Sequence, residues 1–314
     1  APASADFMAR LVHGLADDLL ATLCLATSAP IILAPAMNRQ MWLAPATQEN
    51  RAGLARQGHV LLGPYEGELA CGETGPGRMI EPEVVRRHLE RLFAPAHLAG
   101  RSVLVTAGPT REAIDPVRYV SNRSSGLMGY AIAEAAVAAG AHVTLVSGPV
   151  ALEAPPGVER IAVTSAQEMH DAVMERAQDA DIFIAAAAVA DYRPATYVPG
   201  KIKKREQRLA LDLERTPDIL AEVAGLPRRP FCVGFAAETE ALEANARRKL
   251  VDKSLDMVAA NWVGASGSGI ESRENALILY WPGGSLELPL APKEELAVEL
   301  VEVIAERYRE KSPA

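Results

Sequence analysis

After Asp181 the chain runs IFIAAAA, apolar at every position through residue 188. A strand turns successive side chains to opposite faces, so a strand apolar on both faces must be covered on both. That is the environment of a central strand in a parallel sheet flanked by helices. The flanking sequence supplies such a sheet. SVLVT from Ser102 reads as a strand, residues 127–139 as a helix closed by Gly140, and residues 142–147 (HVTLVS) as the next strand. This is a βαβ unit whose strand-to-helix loop, residues 107–126, is unusually long, and long loops inside compact domains are often functional.

The alternation continues downstream. Ser165-Ala-Gln-Glu168 forms a capping box opening a helix. Leu209, Leu211 and Leu213 alternate, which predicts a half-buried strand. Residues 231–235 and 257–260 read as strands separated by a helix over about 238–254. Residues 276–280, PGGS and 286–290 read as a hairpin, and residues 293–309 as an amphipathic helix. Upstream, strands are expected at 31–34 and 59–63, and helices at 7–22, 48–57 and 82–92. APAHLAG, residues 94–100, reads as a linker. The opening APASAD reads as a strand end feeding an N-cap at Ser4 or Asp6, and with no initiator methionine further sequence is expected upstream. The fold class expected is α/β, with two Rossmann-like units and mainly parallel sheets.

A length of 314 residues favours two domains over one, and 49% hydrophobic residues suffice for two cores. No apolar stretch is long enough to span a bilayer and no signal sequence opens the chain, so a cytoplasmic protein without membrane partners is expected. Cys24, Cys71 and Cys232 are odd in number and far apart, which suits a reducing compartment. The net charge of −8 argues against a nucleic-acid surface. A small anionic ligand, however, needs only a local patch. GKIKKR, residues 200–205, is one such patch, and by itself it reads equally as a solvated loop.

Other motifs carry two readings each. SNRSSGLMG, from Ser121 to Gly129, is a serine-capped helix start or a phosphate site in which Ser124 and Gly126 bring a ligand to the helix N-terminus. It is not GxGxxG, so the standard dinucleotide fingerprint is absent. AAVADYRP places Asp191 at a strand's C-terminal end, as an ordinary aspartate turn or as part of a ligand edge. Lys249 and Lys253 share one helical face, solvated or ligand-directed. PAMNRQMW gathers Met37, Met41 and Trp42 around Asn38, as core or as a clamp for a thiol-bearing substrate. ACGETGPGRM sets Cys71 in a glycine-rich loop, as a small hydrophobe or a proton donor. No metal-ligand cluster is visible.

Together these motifs resemble one family. TAGPTREAIDPVRYVSNRSSGLMG, AAVADYRP, KIKK, VGFAAET, PAMN and ACGETGPGRM occur in the order found in the bacterial bifunctional phosphopantothenoylcysteine decarboxylase / phosphopantothenate–cysteine ligases of coenzyme A biosynthesis. The resemblance implies that residues 1–97 are the C-terminal part of a flavodoxin-like, flavin-dependent decarboxylase domain with its linker, and that residues 98–314 are a complete ligase domain. The ligase would join 4′-phosphopantothenate to cysteine through an acyl-cytidylate, with CTP as substrate and Mg²⁺ carried on the triphosphate. It implies Asn122 holding the activated acyl group and Lys201 stabilising charge. Ala185, Ala186, Ala187, Asp191, Pro217, Asp218, Ile219, Leu220, Phe235, Lys249 and Lys253 would line the nucleotide site. GKIKKR would be a cationic flap closing over nucleotide and acyl phosphate.

In the first unit the resemblance implies that Ala3 and Ser4 contact FMN, Asn38 with Met37 and Met41 hold the substrate, and Cys71 is the proton donor. The family's first βαβ turn and catalytic histidine are expected upstream of Ala1, and His13, His59 and His88 lie outside the matching motif. FMN and decarboxylation are therefore expected of a chain with that segment. A homo-oligomer is also implied, a ligase dimer with higher assembly through the flavin half. The rival readings are an NAD(P)-dependent dehydrogenase and a non-catalytic flavoprotein regulatory subunit.

Overall fold

The computed structural model describes residues 1–69, 72–93, 96–203, 209–263 and 272–311. Contacts divide the chain into two units, Ala1–Ala94 and Pro95–Ala314.

The first unit comprises α1 (Ala5–Val12), α2 (Leu19–Ala26), β1 (Ile32–Leu33), α3 (Arg39–Leu43), α4 (Pro45–Arg56), β2 (Val60–Leu61), β3 (Tyr65–Glu68), β4 (Thr74–Arg78) and α5 (Pro82–Phe93). β1 and β2 pair in parallel, and β3 and β4 form an antiparallel hairpin. Met8, Leu11, Leu33, Trp42 and Leu54 make its main core. The single helix expected over 7–22 is two. Gly14 adopts φ +67°, a left-handed turn that ends α1. Asp18 then caps α2, its Oδ1 accepting the Ala21 N–H at 2.7 Å. Arg10 ties the two ends together, with Nη1 2.7 Å from both Asp17 and Asp18.

The second unit begins with β5 (Ser102–Ala107), a small hairpin of β6 (Arg111–Ala113) and β7 (Tyr119–Ser121), then α6 (Leu127–Ala138), β8 (His142–Ser147), β9 (Val158–Ala162) and α7 (Ala166–Met174). It continues with β10 (Ile182–Ala185), β11 (Tyr192–Pro194), β12 (Leu213–Arg215), α8 (Ile219–Ala224), β13 (Phe231–Glu238), α9 (Leu242–Asp252), β14 (Met257–Trp262), β15 (Glu274–Trp281), β16 (Gly284–Pro292) and α10 (Lys293–Lys311). Eight strands form one sheet in the order β16-β15-β14-β13-β10-β5-β8-β9. It is parallel from β14 to β9, and β15 and β16 add an antiparallel edge.

The apolar run after Asp181 occupies the middle of this sheet. Ile182 and Ile184 enter the core formed with α6 and α10, while Phe183 enters the core on the other face with α7, α8 and α9. The strand is shorter than its apolar run. Past Ala185 the backbone leaves the ladder, and the Ala188 N–H donates to Gly108 O at 2.9 Å. The expected linker is partly structural, since Leu98 is buried in the second unit's core and its N–H donates to Ala139 O.

The half-buried strand expected from Leu209, Leu211 and Leu213 is corrected. All three side chains are exposed, and only Leu213–Arg215 is strand, paired with Tyr192–Pro194 in a separate two-stranded ribbon. Alternation reports a face that needs covering, and among the described residues of this unit nothing covers this one.

Candidate active site

The sheet changes winding direction between β5 and β10. From β5 the chain proceeds outward to β8 and β9, and from β10 to β13 and β14. Ligands of open α/β sheets sit beyond the strand C-termini at such a point. A cavity of about 810 Å³ lies there.

Eleven residues singled out from the sequence line it: Asn122, Ala185, Ala187, Asp191, Pro217, Asp218, Ile219, Leu220, Phe235, Lys249 and Lys253. Four singled-out residues do not. Ala186 packs against the core on the α6 and α10 face. The Ser124 Oγ accepts the Gly126 N–H at 3.2 Å, a local turn. Lys201 is exposed. Gly126 is buried, and its bareness serves packing: a Cβ there would lie 2.9 Å from Val150 Cγ1 and 3.5 Å from Gly108 Cα. Gly129 similarly lets α6 press onto β5, where a Cβ would come within 2.5 Å of Ala107 Cβ.

The lining carries four cationic side chains, Arg123, Arg215, Lys249 and Lys253, against two carboxylates, Asp191 and Asp218. In a chain of net charge −8 this is a local positive excess, suited to an anionic ligand. Lys249 Nζ donates to Phe235 O at 2.6 Å. Burial, with the charge of Lys253 adding to it, holds this ammonium below the ordinary lysine range. Lys253 sits 2.6 Å from Asp218 Oδ2. Asp218 also caps α8, with Oδ1 accepting the Ala221 N–H at 3.1 Å. Burial pushes the Asp218 carboxyl up, but Lys253 and the backbone N–H outweigh it and hold the group below the usual carboxylate range.

The loop between β5 and α6 is tied down by buried polar side chains. Thr110 Oγ1 accepts the Ala190 N–H at 3.0 Å, and Glu112 Oε1 accepts the Ala166 N–H at the start of α7 at 2.8 Å. Asn122 Nδ2 donates to Val189 O at 2.8 Å, joining this loop to the segment after β10. Thr216 Oγ1 donates to Ala190 O at 2.6 Å and brings in the turn before α8. Three loops distant in sequence are thus fastened around one opening.

In the first unit the singled-out residues have local partners. Ser4 caps α1, its Oγ accepting the Phe7 N–H at 3.1 Å, and the Ala3 N–H donates to Ala34 O at 2.8 Å. Asn38 caps α3 through Oδ1 to the Gln40 N–H at 2.7 Å, while its Nδ2 donates to Glu73 Oε2 at 3.1 Å. Met37 packs partly against the core, Trp42 lies in it, and Met41 is exposed, so the three do not close around Asn38 as one clamp. Cys71 lies outside the described residues, as do Lys204 and Arg205 of the cationic run.

Residues 98–308 match the family model of the DNA/pantothenate metabolism flavoprotein C-terminal domain, and residues 1–93 match the flavoprotein family. The chain is 55% identical over 310 residues to the coenzyme A biosynthesis bifunctional protein CoaBC of Vibrio cholerae, across 98% of this chain and 78% of that protein. The chain belongs to the CoaBC family. It is 50% identical over 317 residues to CoaBC of Escherichia coli K12, across 99% of this chain and 78% of that protein. Among solved structures, the C-terminal domain of a CoaBC protein superposes with TM-score 0.59 at 42% identity, covering 68% of this chain and 99% of that one.

Sequence reasoning missed several residues of this cavity, including Thr106, Arg123, Val189, Arg215, Thr216 and Ala237. Thr106 and Ala237 are strand residues at the sheet's C-terminal edge, and a register assignment would have found them. It also missed Thr110, Glu112 and Asp115, buried polar residues whose signal was their presence in a loop too long to be a plain connector.

Proposed function

We propose that the second unit, residues 98–314, is a CTP-dependent phosphopantothenate–cysteine ligase. The observation that carries this reading is the cavity at the sheet's switch point, where Asn122, Asp191, the Pro217–Leu220 turn and the Lys249/Lys253 pair converge. CoaBC-family membership supports the same reaction class. In the first step the 4′-phosphopantothenate carboxylate attacks the α-phosphate of CTP, forming an acyl-cytidylate and releasing pyrophosphate. In the second the cysteine amine attacks the acyl carbon and CMP leaves. Both reactants of the first step are anions, so fixed cations lower its barrier. Lys249 and Lys253 are held in place by Phe235 O and Asp218, and Lys201 supplies further charge from the cationic run. Mg²⁺ is read as arriving on the triphosphate, since magnesium is usually held through few carboxylates plus substrate phosphates.

The first unit, residues 1–97, is read as part of the flavin-dependent decarboxylase half, which the flavoprotein-family match supports. Exposed Ser4 at the start of α1, beside buried Ala3, fits the edge of an FMN site. FMN would supply the oxidation that precedes loss of carbon dioxide. Asn38 is read as a substrate-carboxylate contact, a reading supported by its partial exposure. Two exposed apolar surfaces support assembly into homo-oligomers, the ribbon with Tyr192, Leu209, Leu211 and Leu213, and Leu19, Leu20, Leu23 and Leu25 of the first unit. Among the described residues no helix is long and apolar enough to cross a membrane. A cytoplasmic location fits this reading.

Pyrophosphate release tests the ligase. Purified chain is given 4′-phosphopantothenate, Mg²⁺ and either CTP or ATP, followed by cysteine. The expected result is release that depends on CTP, with phosphopantothenoylcysteine formed once cysteine is added. Release with ATP alone would overturn the nucleotide assignment, and no release from folded chain would overturn the reaction.

A further inference from the structure

The cationic run has a fixed point. Of its described residues, Lys201 and Lys203 are exposed and Ile202 between them is partly buried. The backbone of Ile202 is gripped on both sides. Its N–H donates to Asp115 Oδ2 at 3.2 Å, and its carbonyl accepts from Arg118 Nη2 at 3.0 Å. Four residues earlier, the Val198 N–H donates to Ile114 O at 3.0 Å. All three grips come from the loop between β5 and α6, the loop that also carries Asn122.

Asp115 is suited to such a task. It is 2% exposed, and its carboxylate hydrogen bonds shape this region. Its Oδ1 accepts the Val117 and Arg118 N–H groups, both at 2.8 Å, and so forms the turn. Its Oδ2 is left to face Ile202, with Arg118 Nη1 at 3.6 Å. Burial pushes the carboxyl up, but three backbone N–H groups and Arg118 outweigh it and hold it ionised below the usual range. A buried charge so completely provided for is a poor candidate for a solvent-facing accident.

Resting on the ligase reading, we infer that Asp115 is a positioning residue for that reaction: it latches the cationic segment at Ile202 to the loop bearing Asn122, so that Lys201 is presented from a fixed point. A lysine on a chain free at both sides must lose its own freedom at each turnover, and an anchored one has already lost most of it.

The two oxygens allow a selective test. Asp115→Asn can keep an oxygen at the Oδ1 position for the turn while setting an amide donor against the Ile202 N–H. Ile202→Pro removes the same bond from the other side, at a partly exposed position, should the buried substitution fail to fold. Amide exchange of a peptide covering residues 198–203 is expected to quicken tenfold or more in either variant, while the peptide covering residues 115–118 stays protected in Asp115→Asn. Unchanged exchange at 198–203 would overturn the latch, whatever the enzyme assay shows. Pyrophosphate release is expected to fall about tenfold to a hundredfold, the kinetic equivalent of one buried group left facing the wrong partner. Combined with Lys201→Gln, Asp115→Asn should add little further loss, because both act through one lysine. Losses that multiply fully would overturn the positioning role. If the unmodified chain releases no pyrophosphate, the ligase reading fails on its own, and the exchange measurement still decides the latch.

Discussion

The two units treat their singled-out residues differently. In the second, eleven of them face one cavity, although they come from five separated stretches of chain. In the first, Ser4 and Asn38 cap helices, Ala3 is held in a backbone bridge and Trp42 fills the core. The difference follows from the sheets. An eight-stranded sheet whose winding reverses at its centre delivers several loops to one edge. A pair of two-residue strands delivers few, so the side chains near it find partners within their own turn. A motif becomes a site only where the sheet brings a second and a third motif to meet it.

The contrast predicts that substitutions at the singled-out residues of the second unit act on turnover and those at the singled-out residues of the first on local stability. Lys201→Gln should lower CTP-dependent pyrophosphate release a hundredfold or more, the range for removing one preorganised charge, while the melting temperature stays within a degree or two of the parent. A matched loss of melting temperature would make Lys201 structural and erase the contrast.

Gly148→Ala tests the packing under the second unit's loops. A Cβ there would fall 1.8 Å from Pro109 O, a backbone atom that cannot swing aside. Denaturant unfolding should show a loss of roughly 2–3 kcal/mol, the cost of overpacking a tight contact. A neutral result would mean that the loop after β5 is not held where Thr110 and Glu112 place it.

Asn38→Ala removes the cap of α3 and should cost the first unit about 1 kcal/mol, read by urea unfolding, with ligase turnover unchanged. A fall in ligase turnover would show the units to be functionally linked.

The smallest effect is expected at His170, which joins α7 to α8 with Nε2 2.8 Å from Glu222 and Nδ1 2.9 Å from Asp171. Burial works to lower its pKa, but the two carboxylates outweigh it and raise it above the ordinary imidazole value of 6.5. The folded state therefore binds the proton more tightly than the unfolded one. The stability this contributes is full below about pH 6.5 and is lost as pH rises through the raised folded value. The parent's advantage over His170→Gln, followed by thermal unfolding from pH 5 to 9, should shrink upward through that window. An advantage that grows with pH would mean that the imidazole is neutral in its pairings.

Much of this was readable from the residues in order. Periodicity located five of the six parallel strands of the large sheet, because a strand apolar on both faces has few other places to go, and it missed only the edge strand β9, whose VERIA sequence is partly polar and partly exposed. Local chemistry also carried over: Ser4 and Ser165 are caps, and Gly140 follows α6 in a left-handed turn. Periodicity failed where the cause of an element was not local. The helix expected over 7–22 breaks at Gly14 because Asp18 and Arg10 build a second start, and the leucines at 209, 211 and 213 alternate without a core to face.

The sequence by itself determined the α/β alternation, the cationic run and the family motifs, since each is a property of neighbouring residues. Only the tertiary structure decided which residues share the cavity, that Gly126 and Gly129 serve backbone packing, and that Asp115 reaches Ile202. Those facts depend on strand order and on which loops one sheet edge collects. Hydrogen bonds between residues dozens of positions apart leave no period in the chain that forms them.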